Sequence, residues 1–452
     1  MSQVNAQSLS GTKKATKFRW FIISLIFLIY TVASADRSNL GVALPFLRQE
    51  FQMTNTEAGA IASLFSVGYA LAQVPAGFMF SKLGVHKIFS WALIATSVFT
   101  GFMGTANSAF ALKGLRLGLG LSEAALPVGI TTTINNWFPA KEKGTASGIF
   151  LAGAKFGPVL VPLLSALIIA NWGWRPIFYI CAVPGIVFAI IWLIFVRNKP
   201  EESKYCNEVE QEYIKNENDI TKESEEKSHA FSFGWLDTLI RSKKTAELDT
   251  THQILTSWNV WGAAIGYFFI AGIVYVLYAW IPTYLVTVKH FSIMKMGFVA
   301  SAPWIGAVIG NLLGGWISDR ILAKRRKPMM IVTALTTAIM MYLMITSPND
   351  SFYMGMLLLI AGIFLNLGYS AFMVYPMGLT SKEKYPIAMS IVNTGGQFGG
   401  AVAPLVVGFI LDVFNWNTVF IFLSLCSLVT LIVLFTIVEP LTGDMTANKS
   451  NS

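Results

Sequence analysis

Long apolar stretches recur along almost the whole chain, and they restrict it to folds that cross a lipid bilayer many times. Each stretch is close to the ~20 residues that an α-helix needs to span the hydrocarbon core of a membrane. Because the stretches are continuously apolar and do not alternate with a period of two, they predict helices rather than barrel strands. A chain with 54% hydrophobic and 13% charged residues could not bury so much apolar surface in water. We place twelve spans at residues 18–46, 57–80, 86–107, 109–135, 144–170, 174–196, 258–287, 293–321, 328–347, 351–377, 384–411 and 416–438.

Positive charge is concentrated in alternate connections between the predicted spans. Lys and Arg cluster before span 1 and after spans 2, 4, 8 and 10, and they are sparse in the intervening connections. Because basic loops stay in the cytoplasm, both chain termini and the connection between spans 6 and 7 are predicted to be cytoplasmic. The net charge of +9 then reflects the orientation of the chain, and nucleic acid is not an expected partner.

A polar segment at residues 198–257 divides the spans into two sets of six, and it holds 13 of the chain's 24 acidic residues. This composition predicts a solvated linker, with a short surface helix near 231–245 whose apolar side carries Trp235, Leu236, Leu239 and Ile240. The predicted segments are an N-terminal cytoplasmic tail (1–17), an N-terminal six-helix bundle (18–197), a cytoplasmic linker (198–257), a C-terminal six-helix bundle (258–438) and a C-terminal cytoplasmic tail (439–452).

The two sets of spans repeat each other weakly. Segments Gly77–Lys82 after span 2 and Gly315–Arg320 after span 8 each place a glycine four residues before a polar residue that a base follows. Spans 5 and 11 both carry several glycines and at least one proline. Two pseudo-symmetric halves that flank one binding site are a recurrent plan of secondary transporters.

Four ionisable side chains lie inside predicted spans: Asp36 and Arg37 in span 1, Glu123 in span 4 and Lys155 in span 5. A charge at the centre of a bilayer is costly, so such residues usually face a polar cavity and pair with one another. Arg37 offers a planar fork of donors that suits a carboxylate. A buried carboxyl group can carry protons when its surroundings tune its pKa. The mixture predicts a site that binds a carboxylate and handles protons.

Each of these side chains also has a structural explanation that the sequence leaves open. Arg37 could be held in an ion pair with Asp36 or Glu123, and the two acids could be permanent partners of nearby bases. Lys155 could bind the substrate, neutralise Glu123 or snorkel toward the membrane surface. Arg116 lies about two helical turns before Glu123 on nearly the same face, which favours a structural or gating pair.

The C-terminal half has almost no charge inside its spans, but it has many aromatic and amide side chains. Such groups can stack on a polyol and hydrogen-bond its hydroxyl groups. We favour Tyr278, Asn393 and Gln397 for this role. Charge coupling is therefore expected in the N-terminal half and hydroxyl recognition in the C-terminal half.

Several motifs match a known family. Segment Gly315–Arg320 resembles the Gly-x-x-x-Asp-Arg/Lys loop motif of the major facilitator superfamily, and the loop after Gly77 resembles it imperfectly because Ser81 replaces the usual acid. Within the superfamily, the chain resembles the anion:cation symporter family of bacterial hexuronate, galactonate and glucarate permeases. The matching segments are Ala35–Leu40, Phe65–Pro75, Arg116–Ala124 and Trp137–Gly144. The resemblance implies an all-α membrane protein with twelve transmembrane helices in two pseudo-symmetric six-helix bundles.

The resemblance also implies roles by position. Arg37 matches the arginine that holds the substrate carboxylate, and Asp36 and Glu123 match the pair of proton-titrating acids. Tyr69 matches a tyrosine that contacts the substrate or the arginine. Asn393 matches an asparagine in span 11 that binds sugar hydroxyls.

One position departs from the family. The sugar-acid members often carry a glutamine in span 5, whereas this chain has Ala154 at the matching position, followed by Lys155. We therefore expect Lys155 to take part in anion recognition.

These expectations describe an importer of the bacterial inner membrane. It would take up an organic carboxylate, such as a hexonate, hexuronate or aldarate, by proton symport with alternating access. The alternatives are an anion exchanger for organic anions or sugar phosphates and a transporter-like ligand sensor. A drug exporter is disfavoured by the two bases in the pathway.

Other chemistry has little support in the sequence. It contains no nucleotide-binding loop, metal-ligand cluster or nucleophile arrangement, so neither an enzyme nor a metal site is expected. The expected partners are the organic anion, protons and lipid, the chain is expected to be a monomer, and the energy source is a proton gradient, with sodium coupling left open. The expected structural or gating residues are Arg116, Gly315, Asp319 and Arg320.

Overall fold

A computed structural model describes residues 15–220, 234, 237–238, 240–243, 245–381 and 383–440. Within these residues, eleven helices are long and apolar enough to cross a membrane, and Asn55–Leu83 supplies span 2 of the twelve-helix plan. The predicted spans are confirmed, with ends that shift by a few residues. In chain order they are Phe18–Glu50, Asn55–Leu83, Val85–Met103, Ala109–Trp137, Ala140–Trp172, Arg175–Phe195, Trp258–Thr287, Ile293–Ile321, Lys327–Thr346, Ser351–Gly378, Tyr385–Val413 and Trp416–Thr436.

Span 4 is interrupted next to a candidate site residue. It consists of the helices Ala109–Glu123 and Ala125–Trp137, with a turn at Ala124 between them. Pro127 has no backbone N–H to donate to the carbonyl oxygen of Glu123, four residues earlier, so the helical ladder is weakened there. Span 10 is similarly divided at Gly368, between Ser351–Leu367 and Tyr369–Val374.

The spans alternate in direction between two sides of the molecule. We call the side that carries the start of span 1 and the end of span 12 the linker side, because the segment between spans 6 and 7 also lies there, and we call the other side the far side. Across the two halves, span 1 packs on span 7, span 2 on span 11 and span 5 on span 8. One buried apolar cluster joins far-side residues of the N-terminal half to the C-terminal half, for example Leu44 and Ile61 to Trp280. A second cluster holds only linker-side residues of the N-terminal half, such as Ile26 and Phe89.

Two pairs of glycines locate where the halves touch. A Cβ atom added to Gly59 would meet the carbonyl oxygen of Pro404 at 2.4 Å, and one on Gly297 would meet that of Pro162 at 2.8 Å. Gly77 and Gly315 each lie 18 residues later, which is five whole turns and therefore the same helix face. A Cβ atom on either would meet nothing within 4 Å. The halves are packed together on the far side and stand apart on the linker side.

The linker is more closely attached to the bundle than its acidic composition predicted. It forms a helix, Glu208–Ile220, whose Glu210 is fully buried. The Glu210 carboxylate accepts hydrogen bonds from the Arg19 guanidinium at 2.8 Å and the Thr16 hydroxyl at 2.7 Å. Arg19 also donates to Glu142 of span 5 at 2.8 Å. The expectation of a solvated segment is therefore wrong here, because a buried arginine needs anionic partners that the linker supplies.

The second part of the linker attaches to the C-terminal half. The Asp237 carboxylate receives two hydrogen bonds from Arg325, at 2.7 and 3.0 Å. The short strand Ser242–Lys243 pairs in parallel with the strand Glu439–Pro440. Seven of the fifteen residues at which the surface helix is expected (231–245) lie outside the described residues. Of the described ones, Asp237 and Thr238 are helical, Ser242 and Lys243 are extended, and Ile240 is buried. Main-chain pairing with the C-terminal segment replaces helix at that point.

Glu439, which is distant in the sequence, caps the beginning of span 9. Its two carboxylate oxygens accept the backbone N–H groups of Arg326 at 2.9 Å and Lys327 at 2.7 Å. These donors have no intrahelical partner at a helix start, and the positive end of the helix dipole favours a carboxylate there. Burial raises the pKa of Glu439 to about 7, although the two N–H groups act in the opposite direction.

We expect the isosteric change Glu439→Gln to weaken this attachment. An amide offers one acceptor oxygen and turns an NH₂ group toward the second N–H, so a buried donor loses its partner at a cost of about 1–3 kcal/mol. The apparent melting temperature in detergent should fall. Glu383→Gln, at an exposed position of the loop before span 11, is the matched control and should leave it unchanged. Equal melting temperatures for the two variants would contradict the capping role.

Candidate functional site

Asp36 and Arg37 are neighbours in span 1, but their side chains point to different partners. Successive residues on a helix are turned by about 100°, so the two do not face each other. The Asp36 carboxylate points toward span 3, and the Arg37 guanidinium points toward span 4. One turn of span 1 thus supplies an acid and a base to two separate local environments.

Arg37 forms a buried ion pair with Glu123. Its Nε and Nη2 atoms donate to the same carboxylate oxygen, Oε1, at 3.0 and 2.7 Å. Glu123 is fully buried, and its other oxygen, Oε2, has no hydrogen-bond partner in the described part of the chain. The guanidinium also lies 5.4 Å from the ring centroids of both Phe65 and Tyr69. Arg37 is therefore held by one oxygen and two aromatic faces, and the second oxygen of Glu123 is available for a further interaction.

Asp36 lies among neutral donors. Its carboxylate accepts hydrogen bonds from the Thr100 hydroxyl at 2.8 Å and the Asn39 amide at 3.1 Å, and the residue is 2% exposed. Arg116 is also buried, but it donates to the backbone carbonyl of Asp36 at 3.1 Å rather than to either carboxylate. The Arg116 guanidinium lies 4.9 Å from the Phe65 ring. Asp36 can therefore gain or lose a proton without breaking an ion pair of its own carboxylate.

A narrow cavity lies between the two halves beside this cluster. Arg37, Phe65 and Arg116 line it from the N-terminal half, and Tyr275 and Tyr278 line it from the C-terminal half. It has room for about one water molecule. This cavity can therefore hold a sugar-sized molecule only if these side chains move apart.

Of the C-terminal candidates, Tyr278 lines this cavity, Gln397 contacts Tyr275 of the cavity wall, and Asn393 does not line it. The Tyr278 ring stacks on Trp304, with ring centroids 3.9 Å apart and planes inclined by 17°. Gln397 accepts a hydrogen bond from the Tyr275 hydroxyl at 3.0 Å. Asn393 donates to the Gln73 side chain of span 2 at 3.2 Å, which links the two halves. Opposite Arg37, the C-terminal half therefore lines the cavity with the side chains of Tyr275 and Tyr278.

Lys155 also bridges the halves. Its ammonium group donates to Oδ1 of Asn366 at 3.2 Å and lies 5.0 Å from the ring centroid of Tyr369, and both partners belong to span 10. Asn311 of span 8 donates to the same oxygen at 3.4 Å. Lys155 makes no ion pair with Glu123, which is taken by Arg37.

The predicted gating motif lies away from this cluster, at the linker-side end of span 8. Gly315 faces open space, and Asp319 pairs with Arg326 of its own loop at 2.7 Å. Arg320 is exposed. The motif therefore organises the loop after span 8 and does not join the two halves in this arrangement.

Sequence reasoning missed several polar partners. Thr100, which binds Asp36, resembles any other hydroxyl residue of a membrane span, so no pattern marked it. Asp412, near the far-side end of span 11, accepts the backbone N–H and side-chain donors of Asn55 at 2.8 Å each. It also accepts those of Thr56 at 2.8 and 2.6 Å. Among the described residues, no group of three or more His, Cys, Asp or Glu side chains is arranged to hold a metal ion.

Comparisons with known proteins agree with this architecture. A model of the Major Facilitator Superfamily matches residues 26–347 and 290–450. A probable galactarate/D-glucarate transporter of Bacillus subtilis (strain 168) is 27% identical over 429 residues, which cover 92% of this chain and 91% of that protein. The D-galactonate transporter of Escherichia coli O6:H1 (strain CFT073) is 26% identical and covers 92% of this chain and 94% of its own.

A solved structure has the same fold. It is a bacterial homologue of the human lysosomal transporter Spinster, in an inward-facing and occupied conformation. It superposes with a TM-score of 0.70 at 18% identity, and the match covers 94% of this chain and 96% of that one.

Proposed function

The chain belongs to the Major Facilitator Superfamily, and on this premise we propose that it imports an organic carboxylate of the sugar-acid class together with protons. The observation that carries the proposal is the ion pair at the contact between the halves, in which the Arg37 side chain is 17% exposed and Glu123 is fully buried, with one carboxylate oxygen that has no hydrogen-bond partner among the described residues. The sugar-acid transporters among its relatives support the substrate class. We place it in a bacterial inner membrane, with the linker side facing the cytoplasm.

Coupling follows from competition for Arg37. In the unloaded site, Glu123 is ionised and accepts two charge-assisted hydrogen bonds, which are stronger than neutral ones. A proton on Glu123 removes its negative charge and weakens its hold on the guanidinium. Both donor atoms of Arg37 can then turn to the carboxylate of the substrate. The substrate is thus bound tightly only after a proton has been bound.

Asp36 provides a second proton site. Its carboxylate is held by Thr100 and Asn39, which are neutral. It lies one residue from Arg37 and its backbone carbonyl contacts Arg116, so a change in its charge is felt by both guanidinium groups at low dielectric. Protonation of Asp36 and Glu123 together would leave Arg37 and Arg116 attractive to an anion.

The remaining contacts suit a polyhydroxylated substrate. Tyr278 is stacked on Trp304 and cannot easily rotate, so it offers a fixed surface for a sugar chain. Asn393 and Gln397 carry amides that can donate to and accept from hydroxyl groups. The face of the Tyr69 ring contacts the Arg37 guanidinium and keeps it oriented.

Alternating access requires the far-side contacts to break. The described arrangement is closed on the far side and open on the linker side, which corresponds to a pathway open to the cytoplasm in the proposed orientation. Asp412 makes its hydrogen bonds to Asn55 and Thr56 across the halves at the closed side. Opening to the outside would release them.

We expect Glu123→Gln to uncouple transport from protons. Glutamine has the shape of protonated glutamic acid and carries no charge, so Arg37 should stay available to substrate at every pH. In proteoliposomes with radiolabelled galactonate or galactarate, uptake should no longer respond to an inward proton gradient, whereas exchange against internal substrate should continue. Glu247→Gln, an exposed linker position, is the control. A variant that still accumulates substrate in response to the gradient would exclude Glu123 as a coupling residue.

Arg37→Lys should weaken substrate binding rather than coupling. A lysine keeps the charge but loses the planar fork, and at a bidentate site this change is not conservative. The apparent affinity should fall about tenfold or more, which corresponds to about 1.4 kcal/mol. Unchanged affinity in exchange assays would mean that Arg37 serves only as the partner of Glu123.

We expect Asp412→Ala to favour opening of the far side. A cysteine at Ala62, which lines the cavity on that side, in a background without the native cysteines, would report exposure to a membrane-impermeant maleimide added outside. Labelling should become faster in Asp412→Ala. Asp350→Ala is the matched control, because Asp350 caps span 10 on the same side but within one half. Equal labelling of both variants would contradict a role of Asp412 in closure.

A further inference from the structure

Lys155 is placed deep in the membrane region of span 5. It is the sixteenth residue of the helix Ala140–Trp172, and the helix continues beyond it for about as far. At 1.5 Å per residue, either end lies more than about 20 Å away, too far for a lysine side chain to reach the membrane surface. Its ammonium group instead points to the contact between the halves, where Asn366 and Tyr369 receive it.

No anion accompanies this cation. Among the described residues, the contacts of Lys155 are a neutral amide oxygen and an aromatic ring, and the charge that acts on it through space is the guanidinium of Arg37, of the same sign. Removing an ammonium group from water without an anionic partner is costly in a membrane protein. The amide and the ring offset part of that cost, and a bound anion would offset the rest.

The two cations differ in what holds them. Arg37 is neutralised by Glu123 until a proton arrives, whereas no acidic side chain in the described part of the chain pairs with Lys155. Both lie at the contact between the halves, in spans 1 and 5, which pack against each other. A substrate with one carboxylate would satisfy Arg37 and leave Lys155 uncompensated.

We propose that the substrate is an organic dianion, and that Lys155 binds its second oxyanion group while Asn366, Asn311 and Tyr369 position the ammonium. The inference rests on the proposed function, because it assumes that Arg37 binds the first carboxylate. The amide of Asn311 already points to the oxygen that Lys155 contacts, so it can follow the ammonium toward an arriving anion. A purely structural bridge between the halves would instead affect all substrates equally.

The test compares ligands that differ in one charge. Galactarate and galactonate share a carbon skeleton and hydroxyl configuration, but the first has a carboxylate at both ends. Binding to the purified protein would be measured for both by competition against a labelled ligand, with sulfoacetate as a dianion whose second group is a sulfonate. The proteins would be the wild type, Lys155→Gln, Lys155→Arg, Arg37→Lys and the control Lys295→Gln, which changes an exposed lysine at the far-side start of span 8.

We expect the wild type to bind galactarate about tenfold or more tightly than galactonate, a difference of about 1.4 kcal/mol. Lys155→Gln should abolish that preference by weakening galactarate binding alone, Lys155→Arg should restore part of it, and Lys295→Gln should keep it. Tighter binding of sulfoacetate than of galactarate would support the proposal of a dianionic substrate and would identify the group that binds Lys155 as a sulfonate.

Two results would overturn the inference. One is equal or tighter binding of galactonate by the wild type, a comparison that needs no variant to fold. The other is an equal loss of both ligands in Lys155→Gln, which would make Lys155 a structural bridge. Failure of the proposed function would look different, because none of the three anions would then bind in a way that Arg37→Lys weakens.

Discussion

The cost of burying charge within a bilayer is the constraint on which the rest of this structure depends. Each ionised group in the spans must find a partner or a polar space, and the partners come from other spans. Arg37 is matched by Glu123, Asp36 by neutral donors, and Lys155 by an amide and a ring of the opposite half. These pairings join span 1 to spans 3 and 4, and span 5 to span 10. In the proposed function, a proton or a substrate anion takes the place of these pairings.

The sequence was sufficient to predict the fold and to identify the ionisable residues inside the spans. Continuous apolar stretches identify membrane helices directly, because a helix in lipid satisfies its own backbone hydrogen bonds. Length and hydropathy are therefore enough to place the spans. The positions of Asp36, Arg37, Glu123 and Lys155 stood out because ionisable residues are rare in such stretches. The partners could not be predicted in the same way. Thr100 and Asn366 are ordinary polar residues whose importance depends on which spans are adjacent.

The linker shows a second limit of sequence reasoning. Its composition is that of a solvated tether, yet Glu210 is fully buried and Asp237 binds Arg325. Acidic residues that meet buried bases on the bundle are indistinguishable, in the sequence, from acidic residues that meet water. Composition therefore predicts the average behaviour of a polar segment and not the few positions where it is attached.

Gly77 and Gly315 bear on how the two halves would pack in a second conformation. They occupy the same helix faces as Gly59 and Gly297, yet a Cβ atom added to either would meet no atom within 4 Å. In the proposed alternating-access cycle, the molecule closes first on one side and then on the other. An unfilled position is then as constrained as a filled one, since it reserves space for a contact made in the other state. Side-chain size along spans 2 and 8 is thus fixed by two packings, and a substitution that is harmless in one can be obstructive in the other.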